Sequence, residues 1–293
     1  MRRSQQRGRA ALLCVLVLAS VTLRSAGAKA EPVDVGTVMW RLGEFVTAYY
    51  ARAQSIICDE LVRLQSLGPD LTTDMTPARR LLYELRVAWE PAPEGGTPDA
   101  QVLRTLVSVN NRPPRAKDRD GCMDPRSEST EPLSVFLPGN QDDYVFTAAG
   151  RGRVDGRQAV MIDYRARTRG PIEATRNDDC FSVELPGRSR GRVWVDEQNG
   201  EVLRLDEHLN GIFDVRVPPD PKRRDGSSSV VVERLDSSIR YRRITFSDPD
   251  ETIVLPISKE TLTVVRNAGI PRLRTSQTFR NYRRFMTGGR IVQ

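Results

Sequence analysis

The sequence predicts a mainly β (α+β) protein in which one amphipathic helix is followed by a large antiparallel sheet. Three observations carry this. A single apolar stripe at helical period occupies Val35 to Ala53, apolar alternation at period two recurs beyond it, and turn signals separate the alternating runs. The composition is that of a folded chain: 39% of the 293 residues are hydrophobic and 28% charged.

The chain opens with Arg2, Arg3, Arg7 and Arg9, then the apolar run Ala10 to Leu23, then the small residues around Ala26-Gly27-Ala28 and Ala28-Lys29-Ala30. This charged, apolar, cleavable order predicts a secretory signal over 1–30, removed after Ala28 or Ala30; the rival, an organelle transit peptide, would be amphipathic rather than continuously apolar. The run is shorter than the roughly 20 residues a membrane-spanning helix needs, so no integral membrane segment is expected after cleavage. The expected location is the periplasm or the extracellular space. Residues 1–30 hold six cations and no acid, which leaves 39 bases against 38 acids in 31–293. The formal charge of +7 therefore belongs mostly to the leader. A mature chain so close to neutral lacks the cation surplus that nucleic-acid binding requires.

In the first mature segment Val38, Leu42, Phe45, Val46 and Tyr49 fall on one helical face. Next, Leu81, Tyr83, Leu85, Val87 and Trp89 alternate with mostly charged positions and define a strand with one dry face. Val160, Ile162 and Tyr164 repeat the pattern, as do Val193 with Val195 and Ile239 with Tyr241. Asn110-Asn111, Asp155-Gly156, Asn199-Gly200 and Ser247-Asp248-Pro249 supply the turns. Strands at hairpin spacing make an antiparallel sheet whose dry face must be covered, and the leading helix is the element available to do so. Val217 to Ser229 is rich in proline, charge and serine and reads as a loop. One domain over 31–293 is expected.

Three cysteines follow the leader. Cys122 and Cys180 lie in polar, turn-rich contexts and are expected to pair, which an oxidising compartment permits, whereas Cys58 follows Ile56-Ile57 and reads as a small buried hydrophobe.

Catalytic signals are weak. His208 is the only histidine, so a His-cluster metal site is not available. Gly187-Arg188-Ser189-Arg190-Gly191 fits the G-x-S-x-G nucleophile elbow, but a strand follows the serine where the elbow requires a helix. Adjacent acids such as Asp59-Glu60, Asp142-Asp143, Asp178-Asp179 and Asp206-Glu207 point to opposite faces of a strand and are read as solvated turns or edges. Asp178-Asp179 and Asp118 to Asp124 offer oxygens to calcium without EF-hand spacing. Arg280 to Phe285 alternates cations with aromatics and reads as a last strand with a charged outer face. Catalytic residues, metal ligands and cofactors are therefore not expected.

Gly191 to Leu205 (GRVWVDEQNGEVLRL) reads as strand, acidic turn, strand and resembles the hairpin of the LolA-like superfamily of periplasmic lipoprotein carriers, lipid carriers and envelope-stress sensors. Phe279 to Phe285 resembles the ending of uncharacterised exported bacterial proteins with this hairpin. The resemblance implies a strongly curved, unclosed antiparallel half-barrel, with the N-terminal helix on its concave face and an apolar cavity between them. It transfers no functional residue, and the loop-rich stretch Pro113 to Glu131 departs from a plain carrier. The function implied is non-catalytic binding of a lipid or acyl chain, as carrier or sensor. An envelope scaffold gripping another protein is the alternative, and a secreted hydrolase using Ser189 or His208 the second. At about 0.8 kcal/mol per buried methylene, a chain of about 16 carbons contributes about 12 kcal/mol by contact alone. The candidate walls are Leu81, Tyr83, Leu85, Val87 and Trp89 facing Val38, Leu42 and Phe45; the plainer reading is that they pack on one another.

Overall fold

A computed structural model describes residues 32–53, 55–90, 97–118, 121–125, 132–177, 180–219 and 228–284. The expected leader with its expected cleavage positions, Asp178-Asp179, most of the 217–229 loop and Phe285 lie outside the described residues.

Helix α1 spans Val35–Arg52. It starts where the Asp34 carboxylate accepts from the Gly36 N–H at 3.1 Å and the Thr37 hydroxyl at 2.6 Å, an N-cap that satisfies donors the first turn leaves open. Its buried face is Met39, Leu42, Gly43, Val46, Tyr49 and Tyr50, so the stripe is turned slightly from the expected one and Val38 and Phe45 are half-buried at its margin. Gly43 is needed for close approach. A Cβ there would stand 3.0 Å from Gln141 Nε2, which donates to the Phe136 carbonyl at 2.9 Å and the Met39 carbonyl at 3.3 Å.

The strands are β1 (Ile56–Ser66), β2 (Arg79–Glu90), β3 (Asp99–Val109), β4 (Tyr144–Val154), β5 (Arg157–Ala166), β6 (Glu173–Asn177), β7 (Cys180–Glu184), β8 (Ser189–Asp196), β9 (Val202–Leu209), β10 (Phe213–Val217), β11 (Ser228–Ser247), β12 (Asp250–Arg266) and β13 (Arg272–Arg284). Eleven form one antiparallel sheet in the order β3-β2-β1-β13-β12-β11-β9-β8-β5-β4, with β10 also on β11; β6 and β7 form a separate hairpin. Asp155-Gly156 turns β4 into β5, both residues at positive φ as a type I′ turn demands, and Asn199-Gly200 joins β8 to β9. The 217–229 segment joins β10 to its own partner β11, with Val217 opposite Ser228, so it is a connection within the sheet and not a domain linker.

The end strands β3 and β4 do not pair with each other, so the sheet is not closed into a barrel. It is strongly curled. Strands β2 and β4 stand eight places apart, which is about 38 Å in a flat sheet. Both nonetheless reach one core with α1: Trp89 of β2 meets Tyr50 edge to face at 4.7 Å, and Phe146 of β4 packs on Phe136 and Tyr164 beside the helix. Leu42, Val46, Ile162, Val193, Leu205 and Ile239 form the centre of this core. Smaller clusters gather at the far ends of β1, β2 and β13 (Val62, Leu64, Leu81, Leu273) and where the β6–β7 hairpin lies on β10 and β11 (Phe181, Val183, Val215, Val232).

Candidate functional site

The concave face is the place to look for a ligand, and its helix-covered half is packed. Of the candidate walls, Trp89 meets α1 through Tyr50, and half-buried Val87 packs beside it. Leu85 lies with Cys58 and Phe279, while Leu81 and Tyr83 belong to the cluster with Val62, Leu64 and Val109. The structure therefore brings only the last part of β2 near the helix. Between Tyr49, Ala53 and Ile56 on one side and Leu85, Val87 and Trp89 on the other, the remaining void is ≈ 20 Å³, room for a single water and no acyl chain.

Beyond the helix the inner face changes character. Residues directly opposed in an antiparallel pair point to the same face. One transverse row runs Tyr164, Gly191, Glu207, Ser237, Thr261 and Thr275; the adjacent row runs Val193, Leu205, Ile239, Lys259, Gln277 and Val62. Glu207, Lys259 and Gln277 are thus inward-facing, beside the apolar floor of the main core. They belong to a polar belt across the sheet. At one end Tyr164 donates its hydroxyl to Glu207 Oε1 at 2.9 Å, crossing β8 over Gly191, where a Cβ would come 2.2 Å from the tyrosine ring. The ring takes the space of the missing side chain. At the other end Glu60, completely buried, accepts from Arg104 Nε at 2.7 Å and Gln277 Nε2 at 2.6 Å. Glu60 corrects the reading of Asp59-Glu60 as a solvated pair: Asp59 faces outward to Asn281 and Arg283, and Glu60 inward.

Burial pushes the Glu207 carboxyl above its ordinary value of 4.5, against the Tyr164 hydrogen bond and the Lys259 charge, which hold it down. A carboxyl raised in the folded state contributes stability below its unfolded value and loses it as pH rises through the folded one. Glu207→Gln should therefore match the wild type in urea denaturation at pH 4 and be more stable at pH 8. A variant less stable at pH 8 than at pH 4, relative to wild type, would contradict this assignment.

A recess of ≈ 290 Å³ opens on this belt, lined by Leu185, Ser189, Glu207, Leu209, Leu235, Ser237, Lys259 and Thr261. Its volume is at the lower end of the range of about 300–1,000 Å³ typical of small-molecule sites. Leu235 is 37% exposed there, an apolar side chain without full cover.

Ser189 and His208 are not brought together. Ser189 opposes Leu209 and His208 opposes Arg190, so the two lie on opposite faces of the sheet; His208 contacts Asp236 at 3.3 Å on the outer face. The outer groove containing His208, ≈ 590 Å³, carries arginine–carboxylate pairs such as Arg192–Asp163, and Arg204 stacks on Trp194 at 4.7 Å. Calcium is not favoured at Asp118 to Asp124 because arginines hold both carboxylates: Arg112 contacts Asp118 at 2.7 and 2.9 Å, and Arg79 contacts Asp124 at 2.7 and 3.1 Å. The expected disulfide is present between Cys122 and Cys180. Cys58 is buried, and burial followed by the Glu60 charge pushes its thiol up to about 12, which leaves it unreactive.

An N-terminal helix set into the concave face of an open antiparallel sheet is the arrangement implied by the Gly191–Leu205 hairpin. The described residues form a large antiparallel sheet left open, with one N-terminal helix on it. Solved structures similar to the chain include a domain described as outer-membrane lipoprotein-sorting from Vibrio parahaemolyticus (11% identity, 85% of this chain and 94% of that one, TM-score 0.39). Others are a LolA superfamily protein from Nitrosomonas europaea (9%, 87% and 95%, 0.33) and a DUF1329 family protein from Desulfovibrio piger (12%, 86% and 94%, 0.36). No fold, superfamily or residue role is taken from these likenesses. No protein-family model and no curated protein matches the sequence. Among the described residues no helix of this chain is long and apolar enough to cross a membrane.

Sequence reasoning placed the ligand walls under the helix and missed Glu60, Arg104, Glu207, Lys259 and Gln277. A signal existed for two of them. Glu207 shares the parity of Leu205 and Leu209, and Glu60 that of Cys58 and Val62, so each interrupts an apolar face.

Proposed function

We propose that the protein, exported and cut after Ala28 or Ala30, works as a single non-catalytic domain over 31–293 that binds a lipid or acyl chain, as carrier or sensor. The observation that supports this is the recess on the inner face of the unclosed sheet, where Leu185, Leu209 and Leu235 offer apolar surface next to the packed core. An exported setting agrees with the Cys122–Cys180 disulfide, a bond that persists in oxidising compartments. Protein purified from its own host and examined by native mass spectrometry with lipid extraction should carry a co-purifying amphiphile. Leu235→Asp, at a half-exposed position, should release it without unfolding the domain. Repeated recovery of empty protein would overturn the reading.

A second reading, an envelope scaffold, draws on the tight packing beneath α1 and on Trp40, which is 66% exposed beside a groove of ≈ 450 Å³ between the helix and the β8–β9 and β11–β12 turns. A pull-down giving one stoichiometric partner and no lipid, lost in Trp40→Ala, would favour it.

A further inference from the structure

We propose that Arg165 and Arg190, opposed on strands β5 and β8, form a binding site for a phosphate monoester on the outer face of the sheet. The site is separate from the inner recess and does not depend on what that recess holds.

Tyr164 and Gly191 belong to the inner face, so Arg165 and Arg190, their neighbours in sequence, belong to the outer one, where they stand directly opposite each other in the β5–β8 register. Side chains so opposed have Cβ atoms about 4.5–5.5 Å apart, and like charges in that position repel. An acid close by would relieve the pair. The carboxylates of this row and the next are already taken: Arg192 holds Asp163 at 2.5 and 2.9 Å, Arg204 holds Asp206 at 2.8 and 2.7 Å, and Asp236 is shared by Arg234 and His208. Among the described residues no hydrogen bond or ion pair engages Arg165 or Arg190, and both are exposed. With Val145, Thr147 and Trp194 they line the outer groove of ≈ 590 Å³, which is within the range of about 300–1,000 Å³ typical of small-molecule sites. Arg190 lies in the Gly187 to Gly191 segment, which as a strand edge turns Ser189 inward and Arg190 into this groove.

The pairs on the same face indicate which anion fits. One carboxylate fills one guanidinium fork, as Asp163 does for Arg192 and Asp206 for Arg204. Two opposed forks call for more acceptor oxygens than a carboxylate has, and for about two negative charges. A phosphate monoester supplies both, with three terminal oxygens and a charge of about −1.5 to −2 at pH 7. A phosphodiester, with one charge and two free oxygens, does not.

The test titrates the protein at low salt, by calorimetry, with glycerol 3-phosphate and with acetate. Wild type is expected to bind the phosphate ester at least about tenfold more tightly than acetate, and Arg165→Gln and Arg190→Gln should each weaken it by about tenfold, the scale of one charge-assisted hydrogen bond. Arg190→Lys keeps the charge but loses the fork and should recover only part of the affinity. Neither glutamine variant should melt below wild type without ligand, because each removes one of two opposed like charges; lost affinity is then not lost folding. Arg153→Gln, which removes an exposed arginine outside the groove, should bind as wild type does. Co-sedimentation with neutral vesicles carrying phosphatidic acid separates the two sources of such a phosphate. Retention that both glutamine variants lose identifies a lipid head group, and glycerol 3-phosphate binding without retention identifies a soluble ester. Binding of neither probe, equal affinity for acetate, or affinity unchanged in both glutamine variants would overturn the site and leave the inner-face reading untouched.

Discussion

Arg104→Met is expected to lose about 3–5 kcal/mol of folding stability, the cost of stranding a buried charge. Glu60 is fully buried and the Arg104 side chain 6% exposed, so neither has water to fall back on; after the substitution Glu60 keeps only the Gln277 amide. For a domain of this size each kcal/mol lowers the melting temperature by about 2–4 °C, so a fall of roughly 10 °C should appear in thermal denaturation. Arg266→Met removes an ion pair of similar length, 2.6 Å to Glu233, but with its arginine 56% exposed, and should change stability by less than about 1 kcal/mol. The double variant Glu60→Leu with Arg104→Met should lie much closer to wild type than Arg104→Met alone, because the belt then loses both charges together. Equal, small effects of Arg104→Met and Arg266→Met would show that Glu60 is solvated in solution and would remove the closed end of the belt.

That buried pair also marks where sequence reading runs out. The helix and the β2 face were legible because their signals are local: Leu42, Val46 and Tyr49 repeat at 3.6, and Leu81 to Trp89 at two, and all but half-buried Val87 are buried as the spacing demands. What those faces meet is not local. Helix α1, at 18 residues, is about 27 Å long, and β2, at 12 residues, extends about 40 Å through a twisted, curled sheet, so one roof cannot follow the whole strand. Leu81 and Tyr83 therefore pair with the face of the helix in spacing only. Glu60 is still harder to read, since its partners Arg104 and Gln277 are 44 and 217 residues away. Tyr164 reaches Glu207 only because glycine stands at 191, a position that the sequence offers first as part of a hydrolase-like motif. The cysteine pairing was readable for the opposite reason: with Cys14 assigned to the expected leader and Cys58 to an apolar run, two polar turn cysteines remain.

Removing that disulfide, by Cys122→Ser with Cys180→Ser, is expected to lower stability by roughly 4 kcal/mol, the chain-entropy value for a closed loop of this size, bridging a sequence separation of 58. The loss should be concentrated in one region. Cys122 lies in the segment after β3, which Arg79–Asp124 and the Arg112–Asp118 pair hold against the end of the sheet; Cys180 begins β7, in the insert between β5 and β8 near the other end of the sheet order. The bond thus ties the two wings of an open sheet that no strand pairing joins. Without it the β6–β7 hairpin keeps its apolar contacts on β10 and β11, through Phe181, Val183 and Leu185, and the Arg176 hydrogen bond to the Pro218 carbonyl at 2.9 Å. Hydrogen exchange should rise in β6 and β7 before it rises in β12 or β13. Because Leu185 also lines the recess, affinity for a bound amphiphile should fall together with hairpin protection. Mild reduction of the wild type should reproduce both effects, and alkylation under native conditions should then label two cysteines rather than three, since Cys58 is 2% exposed and its thiol lies at about 12. Unchanged exchange in the hairpin after reduction would mean that its contacts on the sheet hold it in place without the disulfide, which then contributes nothing to the shape of the recess.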